Sequence, residues 1–172
     1  METFIEIRTT RFLLRTLSDE DATKKYLNWM NDEAVKKFIE PANRPQNLAY
    51  LKNYINEKFY NSDCLFLGIF TIKKNIHIGN IKYEPIDFNK SSATMGVLLG
   101  DNKWRGKNVF EEVLLASSKY LKENYKIKKI NLGVKEKNTP ALKAYKKIGF
   151  KRNSSFKDDK GETIFLMCYK IY

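Results

Sequence analysis

A mixed α/β domain built around one sheet is the fold class this sequence predicts. Three observations carry that expectation. Apolar residues recur at helical spacing through the first third of the chain, as at Leu48, Leu51, Tyr54, Ile55 and Phe59. From Cys64 onward the pattern changes to short strand-like runs broken by turn residues. After Leu99, helix and strand patterns alternate. The 172 residues suit one domain, 1–172, with a sizeable core.

In chain order, Arg11 to Leu17 reads as a first strand. Ser18-Asp19-Glu20-Asp21 opens a helix running toward Trp29, because Ser18 can cap it and the acidic first turn suits the helix dipole. Asn31-Asp32 starts a short second helix through Phe38. Glu40 to Pro45 is a loop, either a plain connector or a lid over an acceptor site, and Asn47 to Tyr60 is a third helix. Cys64 to Ile72 and Ile76 to Tyr83 form a hairpin around Lys73-Lys74-Asn75. Ser92 to Leu99 is the next strand, Phe110 to Asn124 a helix, and Lys128 to Val134 a strand. Thr139-Pro140 starts another helix, since proline is tolerated at the first helical position, and Gly149 ends it. Phe150 to Phe156 and Glu162 to Ile171 are strands around Asp158-Asp159-Lys160-Gly161.

Composition narrows the function classes. No apolar run is long enough to span a bilayer. The start, Met1 to Glu6, lacks the basic and apolar stretches of a secretion signal, so a cytoplasmic location is expected. The net charge of +12 favours anionic ligands. The lysines are interspersed, and no aromatic-basic motif accompanies them, so nucleic acid is not the expected partner. Cys64 and Cys168 lie far apart in apolar runs and, with one histidine in the chain, no metal site is expected. His77 reads as a half-buried strand residue and Trp29 as helix packing, although each has a minor claim on a site.

Chemistry concentrates in two segments. Gly100-Asp101-Asn102-Lys103-Trp104-Arg105-Gly106-Lys107-Asn108-Val109-Phe110 delivers a basic, glycine-bearing turn from a strand end to a helix start. Unpaired backbone N–H groups and the positive end of the helix dipole converge there, which suits a phosphate. Arg105 and Lys107 add charge-assisted bonds to the same anion. Glu111 and Glu112 fit the first helical turn by dipole logic alone. In the second segment, Asn138 and Tyr145 share one helix face, and the small Ala141 between them leaves that face open. A tyrosine hydroxyl over a ligand can donate a proton or hold an anion.

The pattern Asn138-x-x-Ala141-x-x-x-Tyr145-x-x-x-Gly149-Phe150 resembles the last motif of the GCN5-related N-acetyltransferase (GNAT) superfamily. Arg105 to Phe110 lies where that family carries its pyrophosphate loop, and the run Tyr26 to Val35 is similar to the first-helix signature of its ribosomal-protein and amino-sugar acetyltransferases. The resemblance covers about Arg11 to Ile171. It departs at Asn108 and Phe110, where the family has small loop residues, and at Thr94, where many relatives carry Glu. Asn is the non-glycine residue best able to adopt a left-handed conformation.

The resemblance implies a single GNAT-like domain with a central twisted, mostly antiparallel sheet flanked by helices. It implies acetyl transfer from acetyl-coenzyme A to an amine by direct attack in a ternary complex. Backbone groups at Val97, Leu98 and Leu99 would bind the pantetheine arm, and Arg105, Gly106, Lys107, Asn108, Val109 and Phe110 the pyrophosphate. Asn138, Ala141 and Tyr145 would line the cofactor. Tyr145 is the candidate acid toward the departing thiolate. Glu84 is the candidate base, with Asp87 or a water chain as alternatives. The expected acceptor is a small amine such as a nucleotide-linked amino sugar, which the basic balance suits. A protein N-terminus is the enzymatic alternative, and a coenzyme A-binding domain without turnover is the non-enzymatic one. The chain leaves its oligomeric state open, a homodimer included.

Overall fold

The computed structural model describes residues 4–39, 42 and 47–172. The expected Glu40 to Pro45 loop and the first three residues lie outside the described residues, Ala42 excepted. Among the described residues, eight strands form one sheet in the order β1-β2-β3-β4-β5-β6-β8-β7. They are β1 (Glu6–Arg8), β2 (Phe12–Thr16), β3 (Leu65–Thr71), β4 (His77–Asp87), β5 (Ser92–Leu99), β6 (Lys129–Lys135), β7 (Lys151–Lys157) and β8 (Thr163–Lys170). Among the described residues, only β5 and β6 pair in parallel; every other neighbouring pair is antiparallel. The helices are α1 (Lys24–Asn31), α2 (Glu33–Lys36), α3 (Leu48–Tyr60), α4 (Val109–Tyr125) and α5 (Thr139–Ile148).

The sheet is covered on both faces. Val109, Val113, Leu114 and Leu121 of α4 and Leu142 of α5 pack with Phe12, Leu14, Leu67, Ile69, Ile81 and Tyr83 on one face. On the other, Tyr26, Trp29 and Met30 of α1, Val35 of α2, and Leu51 and Ile55 of α3 pack on Phe66, Phe70 and Leu98. This explains why β3 reads as an unbroken apolar run: all seven of its residues are buried, alternating between the two helical layers. No helix of the described residues is long and apolar enough to cross a membrane.

The structure departs from the sequence reading in three places. β1 is a three-residue strand too short to leave a periodic signal, held by pairing with β2. β4 runs on to Asp87, past an irregularity in its pairing with β5 between Tyr83 and Ile86. The helix expected from Ser18 is broken into a single 3-10 turn, Asp19–Asp21, and a separate α1 whose cap is Thr23, accepting from the Tyr26 N–H at 3.2 Å. The break follows from the use made of Asp21. Its carboxylate accepts the Ser18 N–H at 2.8 Å and takes two bonds from Arg15, at 2.8 and 2.7 Å. The Arg15 guanidinium in turn lies 3.9 Å over the Phe70 ring.

Burial pushes the Asp21 carboxyl up, but the Arg15 and Ser18 bonds outweigh it and hold it below its ordinary range. A depressed folded-state pKa means the stabilisation is present above the unfolded value, roughly 3.9, and is lost as pH falls through the folded value. Asp21→Ala is therefore expected to cost about 2–3 kcal/mol near neutral pH. Urea melts of the two proteins should converge as the pH drops below about 4. A gap that stays constant down to low pH would remove the ion pair as its cause.

Candidate active site

The strand register opens a cleft in the middle of the sheet. β5 and β6 pair only at Ser92↔Lys129, Ala93↔Ile130 and Thr94↔Asn131. β5 then continues to Leu99, held by β4, and β6 to Lys135, held by β8. From Met95 and Leu132 onward, the facing edges of the two strands have no ladder partner. Backbone donors and acceptors along such an edge must bond something else. Val97 and Leu99 turn toward the α4 layer and Leu98 toward the α1–α3 layer, so the segment is anchored on both faces while its edge stays free.

The turn after β5 ends at the start of α4. Gly106 has φ 72°, and Asn108, the cap of α4, has φ 55° and ψ 27°. Asn108 thus takes the left-handed conformation expected of it. The backbone N–H groups of the six residues Gly106 to Glu111 donate to no acceptor among the described residues. Arg105 and Lys107 are exposed beside them. Six unpaired donors, two cations and a helix N-terminus make a set suited to a diphosphate.

α5 supplies the third wall. The Asn138 side-chain oxygen caps the helix, accepting from the Ala141 N–H at 3.3 Å, which leaves its amide nitrogen unpartnered among the described residues. Ala141 and Tyr145 pack against the main core from the same helix face. The Tyr145 ring is held between Phe110, at 5.2 Å between centroids, and Phe150, at 5.5 Å. Its hydroxyl bonds to nothing among the described residues. Burial pushes its pKa up to about 12, so it stays protonated at neutral pH. Phe110 is therefore a packing partner of Tyr145 at the α4–α5 contact. Lys147 of α5 closes that contact, bonding the Asn108 side-chain oxygen at 3.0 Å and Glu111 at 3.1 Å.

Glu84 and Asp87 are placed differently. Lys82 and Glu84 on β4 meet Lys58, Tyr54 and Asn61 of the α3 segment. One Glu84 oxygen accepts from Lys58 at 2.9 Å and Asn61 at 3.0 Å; the other accepts from Lys82 at 2.7 Å. Burial pulls the Glu84 pKa up, yet the lysine bonds win and hold it below its ordinary range. Asp87 is also held down, first by the Lys90 backbone N–H at 2.9 Å and then by the Lys90 ammonium. A lowered carboxylate is a weak proton acceptor at neutral pH. Gly96 of the free β5 edge lies across from Lys82, and the space where its Cβ would stand is empty. His77 is stacked on Phe70 at 4.6 Å, and burial pulls its pKa down. It therefore stays neutral within the core between β4 and α1, where Tyr26 and Trp29 also touch it.

Phe110 and Asn108 of the turn thus meet Tyr145 and Lys147 of α5, Val97, Leu98 and Leu99 lie on the stretch of β5 that β6 leaves unpaired, and Glu84 sits in an ion-pair cluster on the α3 side. Sequence reasoning missed three residues. Arg11 bonds the carbonyl oxygens of Lys107 and Asn108, and Thr9 and Arg11 hold Glu112. These contacts span about a hundred residues, and nothing local marks Arg11.

Comparison with known proteins identifies the family and the fold. The sequence matches the acetyltransferase (GNAT) domain over residues 11–151. It is 25% identical over 151 residues, 87% of this chain and 84% of the other, to the N-acetyltransferase p20 of Bacillus licheniformis. The fold is similar to a GNAT-family acetyltransferase from Bacillus anthracis, with a TM-score of 0.82 at 20% identity over 96% of this chain and 98% of that one. It is also similar to the ribosomal alpha-N-protein acetyltransferase RimL in complex with coenzyme A, with a TM-score of 0.87 at 13% identity over 97% and 98% of the two chains. A split sheet, a donor-lined turn at a helix start and a tyrosine-bearing helix beside it thus stand in a chain that belongs to the GNAT acetyltransferase family.

Proposed function

We propose that this protein transfers an acetyl group from acetyl-coenzyme A to a primary amine, with both substrates bound and the amine attacking directly. The observation that carries the reading is the row of six unpaired N–H groups from Gly106 to Glu111, joined to the free edge of β5 by the bonded 3-10 turn at Asn102–Trp104. Acetyl-coenzyme A supplies the acyl group as an activated thioester. The turn holds its diphosphate, and the β5 edge from Met95 to Leu99 holds the amide-bearing arm and polarises the acyl oxygen. The gain comes chiefly from orientation, since two reactants fixed in one cleft no longer need to meet by diffusion. Tyr145 donates a hydrogen bond to the departing sulfur. Its pKa of about 12 exceeds the roughly 8.5 of a free thiol, so the hydroxyl stabilises the thiolate as it forms before any proton crosses.

Glu84 binds rather than abstracts. Its carboxylate holds Lys58 and also Lys82, which lies across from the open space at Gly96, and the ammonium of the acceptor loses its proton to water. Two lysines at that place suit an acceptor carrying negative charge, such as a nucleotide-linked amino sugar.

Thermal melts with coenzyme A and acetyl-coenzyme A test the cofactor half. Ligand at a hundred times its Kd adds about 2.7 kcal/mol, a rise of roughly 5–10 °C for a domain of this size. No rise at saturating ligand would overturn the reading. Thiol release is then measured across a panel of nucleotide-linked amino sugars, free amino sugars, polyamines and short peptides with free N-termini. Turnover confined to the peptides would move the acceptor to a protein N-terminus. Binding with no turnover on any amine would leave a coenzyme A-binding domain.

A further inference from the structure

We propose that Arg11 is a positioning residue for the phosphate-binding turn, aiming its donors from behind without touching the ligand; this rests on the acetyl-coenzyme A reading above. Arg11 stands in the turn between β1 and β2. Its Nε donates to one Glu112 oxygen at 2.6 Å, and its backbone N–H donates to the other at 2.8 Å. The Thr9 hydroxyl donates to that second oxygen at 2.6 Å. Three bonds fix the Glu112 carboxylate, and the carboxylate fixes the guanidinium. The far end of the guanidinium then reaches the turn: Nη1 donates to the Lys107 carbonyl at 3.0 Å and Nη2 to the Asn108 carbonyl at 3.4 Å.

Peptide planarity turns those two bonds into an aiming device. In a trans peptide the C=O and the following N–H point in opposite directions. The peptides after Lys107 and Asn108 are trans. Carbonyls drawn toward Arg11 therefore send the N–H groups of Asn108 and Val109 the other way. These two are the middle donors of the unpaired row. The same bonds keep a non-glycine residue in the left-handed region. Asn108 is held by Arg11 at its carbonyl and by Lys147 at its side chain. The planar, multi-donor guanidinium can grip a carboxylate at one edge and two carbonyls at the other, which a single ammonium cannot.

The experiment measures affinity for two probes: coenzyme A, and S-acetylpantetheine, which has no pyrophosphate. The proteins are the wild type, Arg11→Ala, Arg11→Lys and Glu112→Gln. Arg11→Lys keeps the charge against Glu112 and so guards against a variant that merely misfolds. Coenzyme A affinity should fall about tenfold or more in each variant, the scale of a well-made charge-assisted bond. S-acetylpantetheine affinity should not change, because its contacts lie along β5. Equal weakening of both probes would make Arg11 a general structural residue and overturn the proposal. So would coenzyme A affinity within about twofold of wild type in Arg11→Lys and Glu112→Gln. A wild-type protein that binds no coenzyme A removes the acetyl-coenzyme A reading and this proposal together; unchanged variants of a wild type that does bind remove this proposal alone.

Discussion

Tyr145→Phe lowers turnover about 100-fold while leaving coenzyme A affinity within about threefold of wild type. The geometry separates the two effects. The Tyr145 ring is fixed by Phe110 on α4 and by Phe150 after α5, and a phenylalanine keeps both contacts. The hydroxyl has no protein partner among the described residues, so its removal strands no buried group. The loss therefore falls on a bond made as the thiolate charge develops, and such a bond lowers kcat when deleted. Steady-state kinetics with an amine from the panel, combined with calorimetric binding of coenzyme A, gives both numbers. Equal losses in kcat and affinity would make Tyr145 a binding residue. An unchanged kcat would remove it from the chemistry and leave thiolate departure unassisted.

How much of this site was legible in the sequence depended on how local each cause is. The left-handed Asn108 follows from the side chain itself and was readable, whereas Asn138, read as a cofactor-facing residue, also caps its helix. The turn at Arg105 to Phe110 and the Tyr145 face follow from short-range period and the dipole of one helix. The Ser18 segment shows where local logic fails. Its acidic first turn suits a long helix, but Arg15, six residues earlier at the end of β2, claims Asp21, and the helix restarts at Thr23. Glu84 shows the same. As a strand-end carboxylate it reads as a free base, yet Lys58, distant in sequence, neutralises it. The cleft itself was not legible. It exists because β5 and β6 part after Thr94 and Asn131 while β8 holds the outer edge of β6, a register no single segment encodes. Arg11 belongs to this class as well, since its partners lie about a hundred residues on.

Gly100→Ala is expected to cost about 3 kcal/mol, a fall of roughly 6–12 °C in Tm, although it adds one methyl group and the position needs no unusual backbone angle. The reason is a neighbour. A Cβ at residue 100 would stand 2.1 to 2.5 Å from the indole of Trp29. Trp29 is buried on α1, flanked by Tyr26 at 5.8 Å and His77 at 5.1 Å, so it has little room to yield. Beside it, Lys25 of α1 bonds Asp101 at 3.1 Å and the His77 carbonyl at 2.7 Å. α1 therefore sits directly on the backbone that leads from β5 into the turn of unpaired donors before α4. A methyl group there must push α1 away or shift the start of the turn. Trp29→Phe in the same chain makes room for it. The double variant should then be more stable than the sum of the single losses allows, by about 1 kcal/mol or more, the size of coupling seen between residues in contact. Denaturant melts of the four proteins give this coupling directly. Strict additivity would mean that Gly100 and Trp29 act separately. A coupled pair whose single variants also weaken coenzyme A binding would show that the seat of α1 on Gly100 sets the position of the turn, since neither residue is part of the donor row itself.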